Sequence, residues 1–237
     1  MIMPGASFEQ SFWAGIRIDV GGSDDAYVDG LNKFKPYGIT NQVNDVSQFR
    51  IGYTSKYVSV GDLGVITYGG NAISDDGAQA YLKAAALAKT ELTTTRFYKN
   101  TTDFFMPDLA TDANSSVQVS KHDLDEADVN GIYSFNGEMV FNGAPATFYI
   151  HHTSSTIVVA ADAGGDTLTD ATSGTFVTDG VKVGDTILLG SLITAAADQY
   201  TQHLVTAVTE TVITTDSLDT LTAQLTGSSF TIHAGRF

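Results

Sequence analysis

From Thr156 to His233 the chain repeats one local pattern: runs of three to six residues rich in valine, isoleucine, leucine and threonine, most of them followed by a glycine-bearing turn. The runs are Thr156–Ala160, Thr167–Thr169, Asp185–Leu189, His203–Val208, Val212–Thr215 and Ser229–His233. Gly164-Gly165, Asp179-Gly180, Gly184 and Gly227-Ser228 punctuate them. β-Branched side chains fit the pleated surface of a strand, and glycine supplies the positive φ that tight reversals need. Runs this short leave no room for a helical period, apart from one turn over Ser191–Gln199. The pattern predicts a small all-β barrel or sandwich.

The preceding residues carry a related but less regular signal. Gly15–Val20 alternates as a half-buried strand does and ends at the turn Gly21-Gly22-Ser23-Asp24-Asp25. Further strands are expected at Phe49–Thr54, Tyr57–Val60, Val65–Tyr68, Ser116–Ser120, Ile132–Phe135 and Phe148–Ile150. Lys99 to Asn114, with Pro107 and several Asp and Asn residues, reads as a loop. One helix interrupts the strands. Ala78, Tyr81, Leu82, Ala85, Ala88 and Leu92 recur at spacings of three and four, with Gln79, Lys83 and Thr90 on another face and Ser74 or Asp75 as the N-cap. The fold class is therefore mainly β: a β-barrel or sandwich with one packed α-helix, followed by a small all-β barrel or sandwich.

Composition changes at the polar stretch His151-His152-Thr153-Ser154-Ser155-Thr156. The residues from Thr153 onward hold 19 threonines and nine acids against two bases, Lys182 and Arg236, whereas the first part holds ten bases and nearly all the aromatics. Such a shift predicts two domains, 1–152 and 153–237.

The formal charge of −15 argues against a surface that grips nucleic acid, because tight binding needs Lys and Arg to displace counterions from phosphate. The absence of cysteine removes disulfides, thiolate catalysis and Cys-ligated zinc. No apolar run is long enough to span a bilayer, and Met1–Ser7 lacks the basic and apolar regions of a secretory signal, so a protein made and kept in a cytoplasm is expected.

No catalytic, cofactor or metal site emerges. Glu126, Asp128, Asn130 and Gly131 match the first, third, fifth and sixth positions of a calcium loop, but the twelfth position is Gly137 and Glu138 arrives one residue late. The stretch Lys121–Gly131 reads instead as an acidic surface loop. Of the five histidines, His122, His151, His152, His203 and His233, only His151 and His152 are adjacent, and on a strand they point to opposite faces. Neither a Gly-x-Ser-x-Gly elbow nor a phosphate-cradling glycine loop occurs.

Asp128-Val129-Asn130-Gly131-Ile132-Tyr133-Ser134-Phe135-Asn136-Gly137-Glu138, with Gly143-Ala144-Pro145 after it, resembles the late strands and connecting turn of the tail tube proteins of long-tailed bacteriophages. The helix from Ala78 to Leu92 occupies a comparable place in the order. Asp170 to Ile187 resembles a β module of phage structural proteins, in which a strand enters, a glycine turn reverses it, and Gly184-Asp185 feeds the next strand. The resemblance implies a non-enzymatic virion subunit forming stacked, usually hexameric rings around a conduit for DNA. It also implies self-contacts, contacts with other tail proteins (tape measure, terminator, baseplate), and an acidic lumen that lets DNA pass without binding. Asp24, Asp25, Asp29, Asp123, Asp125 and Asp128 are the expected lumen acids. A capsid decoration or head–tail connector protein is the rival reading. A secreted adhesin or carbohydrate-binding module is less favoured, with a single tryptophan and no signal segment.

Overall fold

Among the described residues the β-branched runs pair as antiparallel strands, whereas most of the expected Phe49–Thr54 strand and of the turn expected at Ser191–Gln199 lies outside the described residues. The computed structural model describes residues 15–19, 25–35, 43–47, 54–58, 64–100, 102–125, 133–162, 164–190, 198–218 and 221–236. In chain order the first elements are β1 (Gly15–Asp19), β2 (Asp25–Tyr27), β3 (Leu31–Lys35), β4 (Val43–Ser47), β5 (Thr54–Val58) and β6 (Val65–Asn71). Helix α1 (Gly77–Ala88) follows, then β7 (Glu91–Leu92), β8 (Arg96–Tyr98), β9 (Phe104–Pro107), β10 (Ser116–Leu124) and β11 (Ser134–Asn142). The remainder is β12 (Pro145–Ala160), β13 (Thr167–Thr169), α2 (Phe176–Asp179), β14 (Thr186–Leu189), β15 (Gln202–Val208), β16 (Val212–Thr215) and β17 (Gln224–Arg236). The chain separates into two compact units: Met1–Tyr27, Leu92–Ser116 and Asn142–Phe237 form one, and Val28–Glu91 with Val117–Phe141 form the other.

The first unit is built on a ten-stranded sheet in the order β13-β16-β15-β14-β17-β12-β9-β8-β1-β2. Because β13 also pairs with β12, six of these strands close on themselves as a barrel. Its core contains Ile157, Val159, Leu168, Ile187, Val205, Ile213 and Ile232, all essentially excluded from water. Each such side chain contributes about 1.5–3 kcal/mol by leaving water, and closure leaves the barrel strands no open edge. The other four strands extend from the first half of β12 as a wing. Met106 faces Ala146, Phe104 faces Phe148, and Phe97 faces Phe105 across the ladders. Aromatic stacking holds this wing, with Phe97 and Phe105 centroids 4.9 Å apart and Phe104 and Phe148 5.1 Å apart.

Three expectations are corrected here. The stretch Lys99–Asn114 is not all loop, for it contains β9, whose four residues are all buried. The composition break at Thr153 lies inside β12, which runs unbroken from Pro145 to Ala160, and the two compact units do not follow a division at 152/153. The module at Asp170 enters not as a strand but through a turn and the single helical turn α2, which Gly180 ends at φ 104°.

The second unit carries the sheet β3-β6-β11-β10-β7, the hairpin β4-β5 and α1. Along β6 and β11 the register runs from Val65↔Val140 to Asn71↔Ser134. Ile66, Tyr68, Phe135 and Met139 point to the buried face. Helix α1 buries Ala78, Leu82 and Ala85, as the spacing predicts, but its N-cap is Asp76, whose Oδ1 accepts from Ala78 N at 2.8 Å. It stops at Ala88 because Lys89 turns left-handed at φ 54°, so Ala88 is exposed and Leu92 belongs to β7. Gln79, expected on a polar face, is buried. Its amide donates to the carbonyls of Asp29 (2.7 Å) and Asn71 (3.1 Å) and accepts from Ile73 N (3.1 Å), which ties the helix start to the chain entering β3.

Candidate functional site

Sheet pairing decides where the predicted acids go. In the second unit, Asn71 N donates to Gly30 O, Asn71 faces Ser134, and Asp125 N donates to Ser134 O at 2.8 Å. This chain of contacts sets Asp29 and Asp125 at one end of the five-stranded sheet. Asp76 joins them, since Asp29 N donates to its Oδ2 at 3.0 Å. Burial, and then the Asp76 carboxylate, raise the Asp29 carboxyl above its ordinary value. Asp125 accepts from Asn136 Nδ2 and from Ser134 Oγ. Asp123, two residues back on β10, is shared with Lys121 at 3.3 Å. Asp25 is in β2, in the first unit. Asp24 and Asp128 lie outside the described residues, as do Glu126, Asn130 and Gly131 of the calcium-loop comparison; Gly137 and Glu138 are in β11. Among the described residues no group of three or more His, Asp or Glu side chains is placed to hold a metal ion.

The histidines form networks that sequence reading missed. His152 is buried between two carboxylates: Nε2 is 3.0 Å from Asp170 Oδ2 and Nδ1 is 3.1 Å from Asp179 Oδ2. Its ring meets Phe176 edge-on at 4.7 Å, so one residue of β12 pins the whole turn α2. Burial alone would raise the Asp170 carboxyl. Hydrogen bonds from His152, Ser154, Thr156 and the Ser173 backbone outweigh it and hold that group well below the usual carboxylate range. His151, on the other side of the strand, places Nε2 3.1 Å from Asp103 Oδ1 and Nδ1 2.8 Å from His233 Nδ1. Burial, then the neighbouring His151 and Arg96, depress the His233 imidazole to about 3. The signal for His152 was present in retrospect, as a polar stretch interrupting a strand-like run. Its meaning depended on Asp170 and Asp179, which the fold supplies.

These contacts tie β12 to α2, to Asp103 and to β17. Both nitrogens of His151 and of His152 are occupied by Asp or His partners, which leaves neither free as a general base. His203 Nε2 lies 2.7 Å from Thr201 Oγ1, and because the Thr201 hydroxyl donates to the Asp198 carbonyl at 2.7 Å, Nε2 is the donor to Thr201.

No family model and no curated protein matches the chain. Solved structures show a weak likeness, among them the following three. A chain from the tail of an empty GTA particle, refined with C6 helical symmetry, is 14% identical with a TM-score of 0.41, covering 55% of this chain and 92% of that one. A chain of the phage p2 baseplate in its activated conformation with Sr is 10% identical with a TM-score of 0.37, covering 94% and 97%. The Dit protein of SPP1, described as a paradigm of the hub adsorption apparatus in phages infecting Gram-positive hosts, is 9% identical with a TM-score of 0.36, covering 94% and 99%. At TM-scores this low the likeness carries no functional argument.

Proposed function

We propose that this chain is a structural subunit of a bacteriophage tail that polymerises, as stacked rings of six, into a tube through which the genome passes. One observation supports the reading most directly. Ser134–Glu138 of the segment on which the family resemblance rests lie in β11, the central strand of the five-stranded sheet, and Gly143-Ala144 form the turn that leads on into β12. A subunit whose purpose is to be built into a larger wall needs extended sheets and satisfied polar interiors, not a reactive cleft. The buried histidines and aspartates here serve the first need. The acids Asp29, Asp76 and Asp125, gathered at one sheet end, would repel phosphate if that end faced the lumen. Contacts with other tail components and residence in the virion belong to the same proposal.

Negative-stain microscopy of the purified protein across a concentration series tests it. Rings or tubes with six subunits per turn are expected, and a strictly monomeric protein at high concentration overturns the reading. Reversing Asp29 and Asp125 to Lys should leave tubes intact but slow DNA passage more at low salt than at high salt. Equal passage at both salts would remove the acidic wall from the proposal.

A further inference from the structure

His151 on β12 stands directly opposite His233 on β17, between the end of β12 that pairs with β9 and the end that pairs with β13. The two imidazoles meet edge to face with centroids 5.0 Å apart, and their Nδ1 atoms are 2.8 Å apart. The first distance is close to the second plus two ring radii, so each Nδ1 points at the other nearly along the line of centres. Rings placed in this way share a hydrogen bond only if one facing nitrogen carries hydrogen and the other is bare.

Asp103 decides which. Burial alone would raise its carboxyl, but hydrogen bonds from Asn100, His151 and Thr102, and the charge of His151, hold it below its ordinary value. Near neutral pH it is therefore a carboxylate that only accepts, and His151 Nε2, 3.1 Å away, donates to it. A neutral His151 then has a bare Nδ1, and the hydrogen between the rings belongs to His233 Nδ1. One added proton is accommodated. It enters at His233 Nε2, the shared hydrogen passes to His151 Nδ1, and the positive charge settles between Asp103 and His233 with the bond intact. A second proton has to land on His233 Nδ1, which sets two N–H groups and two cations against each other.

The surroundings oppose that second proton. Phe104 lies against both rings, 5.3 Å from His233 and 6.4 Å from His151, and the Arg96 guanidinium of β8 is 5.8 Å from Phe104 and 4.2 Å from Tyr200. Burial, His151 and Arg96 together depress His233, as described above. Lys99 adds a cation over Phe105, next to Phe104 in the chain, while β14 presents the apolar Leu188 opposite His233. The Asp103 carboxylate stands on the His151 side of the pair. We infer that Asp103, His151 and His233 form a proton-counting latch, which holds β12 against β17 with one added proton or none and opens locally when acid forces in a second. The latch does not depend on the assembly reading above.

The test is magnetic resonance of the full chain carrying isotopically labelled histidine, titrated downward from neutral pH. The two Nδ1 nuclei should be coupled through their hydrogen bond, and the pair should take up its second proton, losing that coupling, only below about pH 4. Amide exchange at Ile150, His151, His152, Ile232, His233 and Ala234 should rise over the same interval, before exchange at Ile213 on β16 does. His151→Gln removes the facing cation and should move the His233 midpoint up by about one pH unit or more. A missing coupling, a pair that takes both protons near the ordinary imidazole value of about 6.5, or exchange that rises at all these amides together overturns the latch. An unmoved His233 midpoint in H151Q overturns it as well, because burial alone then accounts for the depression. Should H151Q fail to fold, the wild-type coupling and exchange decide.

Discussion

Replacing His152 by leucine keeps a side chain of similar bulk against Phe176 but removes both ring nitrogens from their carboxylates. The two partners are unequal. Asp170 is fully buried and Asp179 is one-third exposed. Stranding one member of a buried ion pair costs about 3–5 kcal/mol, and the low end applies to Asp170 because Thr156 Oγ1 (2.7 Å) and Ser173 N (3.0 Å) remain as donors. The solvent-screened contact to Asp179 adds no more than about 1 kcal/mol. The sum, about 3–4 kcal/mol, is a large share of the roughly 5–15 kcal/mol that holds an ordinary domain together. Acid should sharpen the effect. The Asp170 carboxyl is depressed in the folded protein, so its contribution is fully present above the unfolded carboxylate value and is lost as pH falls through the lower folded value. In H152L, burial is opposed by fewer hydrogen bonds, the folded value rises, and the acid limb of the stability profile moves to higher pH. Urea unfolding followed by circular dichroism from pH 7 to pH 3 measures both quantities. A loss under about 1 kcal/mol with an unmoved acid limb would refute the clamp.

Two further outcomes follow from the fold. A chain ended after His152 deletes β17, whose register with β12 runs from Thr147↔Arg236 through His151↔His233, and also deletes Leu188, which packs with Phe104 and Phe148; it should lose cooperative unfolding and become protease-sensitive, and a stable, sharply melting fragment would contradict the shared-strand architecture. Asp76→Ala removes the oxygen that caps α1 and should cost about 0.5–2 kcal/mol, read as a lower urea midpoint with unchanged slope, whereas no change would show that Gln79 alone anchors the helix start.

Much of the fold was legible wherever one face of an element is wet. Val212–Thr215 alternates and pairs as read, and α1 buries Ala78, Leu82 and Ala85 of the expected stripe, although most of its exposed residues (Ala80, Ala84, Leu87 and Ala88) are apolar as well. Where both faces are dry or an inward position is polar, the signal fails. Phe104–Pro107 has no alternation to read, since all four residues are buried. His152 and Ser154 resemble linker residues until Asp170 and Thr156 are known to meet them. Phe176–Asp179 carries strand-forming residues, yet Gly180 and the Thr175–Asp179 side-chain contact close it into a helical turn. That Asp29 and Asp125 lie at the same end of one sheet depends on the ladders of β3, β6, β11 and β10, which no local pattern encodes.

The shared strand also sets an order of events during synthesis. β12 can pair with β9 as soon as it leaves the ribosome, but the barrel it begins stays open until β17 has been translated, some 80 residues later along the chain. Through that interval the apolar side of β12, Ile157 and Val159 included, has no finished core to enter. Contacts this distant in sequence form slowly, and an unfinished sheet is exposed to wrong pairing while it waits. A protein built in this way is vulnerable as a nascent chain more than as a finished one, and slowing translation between β12 and β17 would lengthen its most aggregation-prone moment.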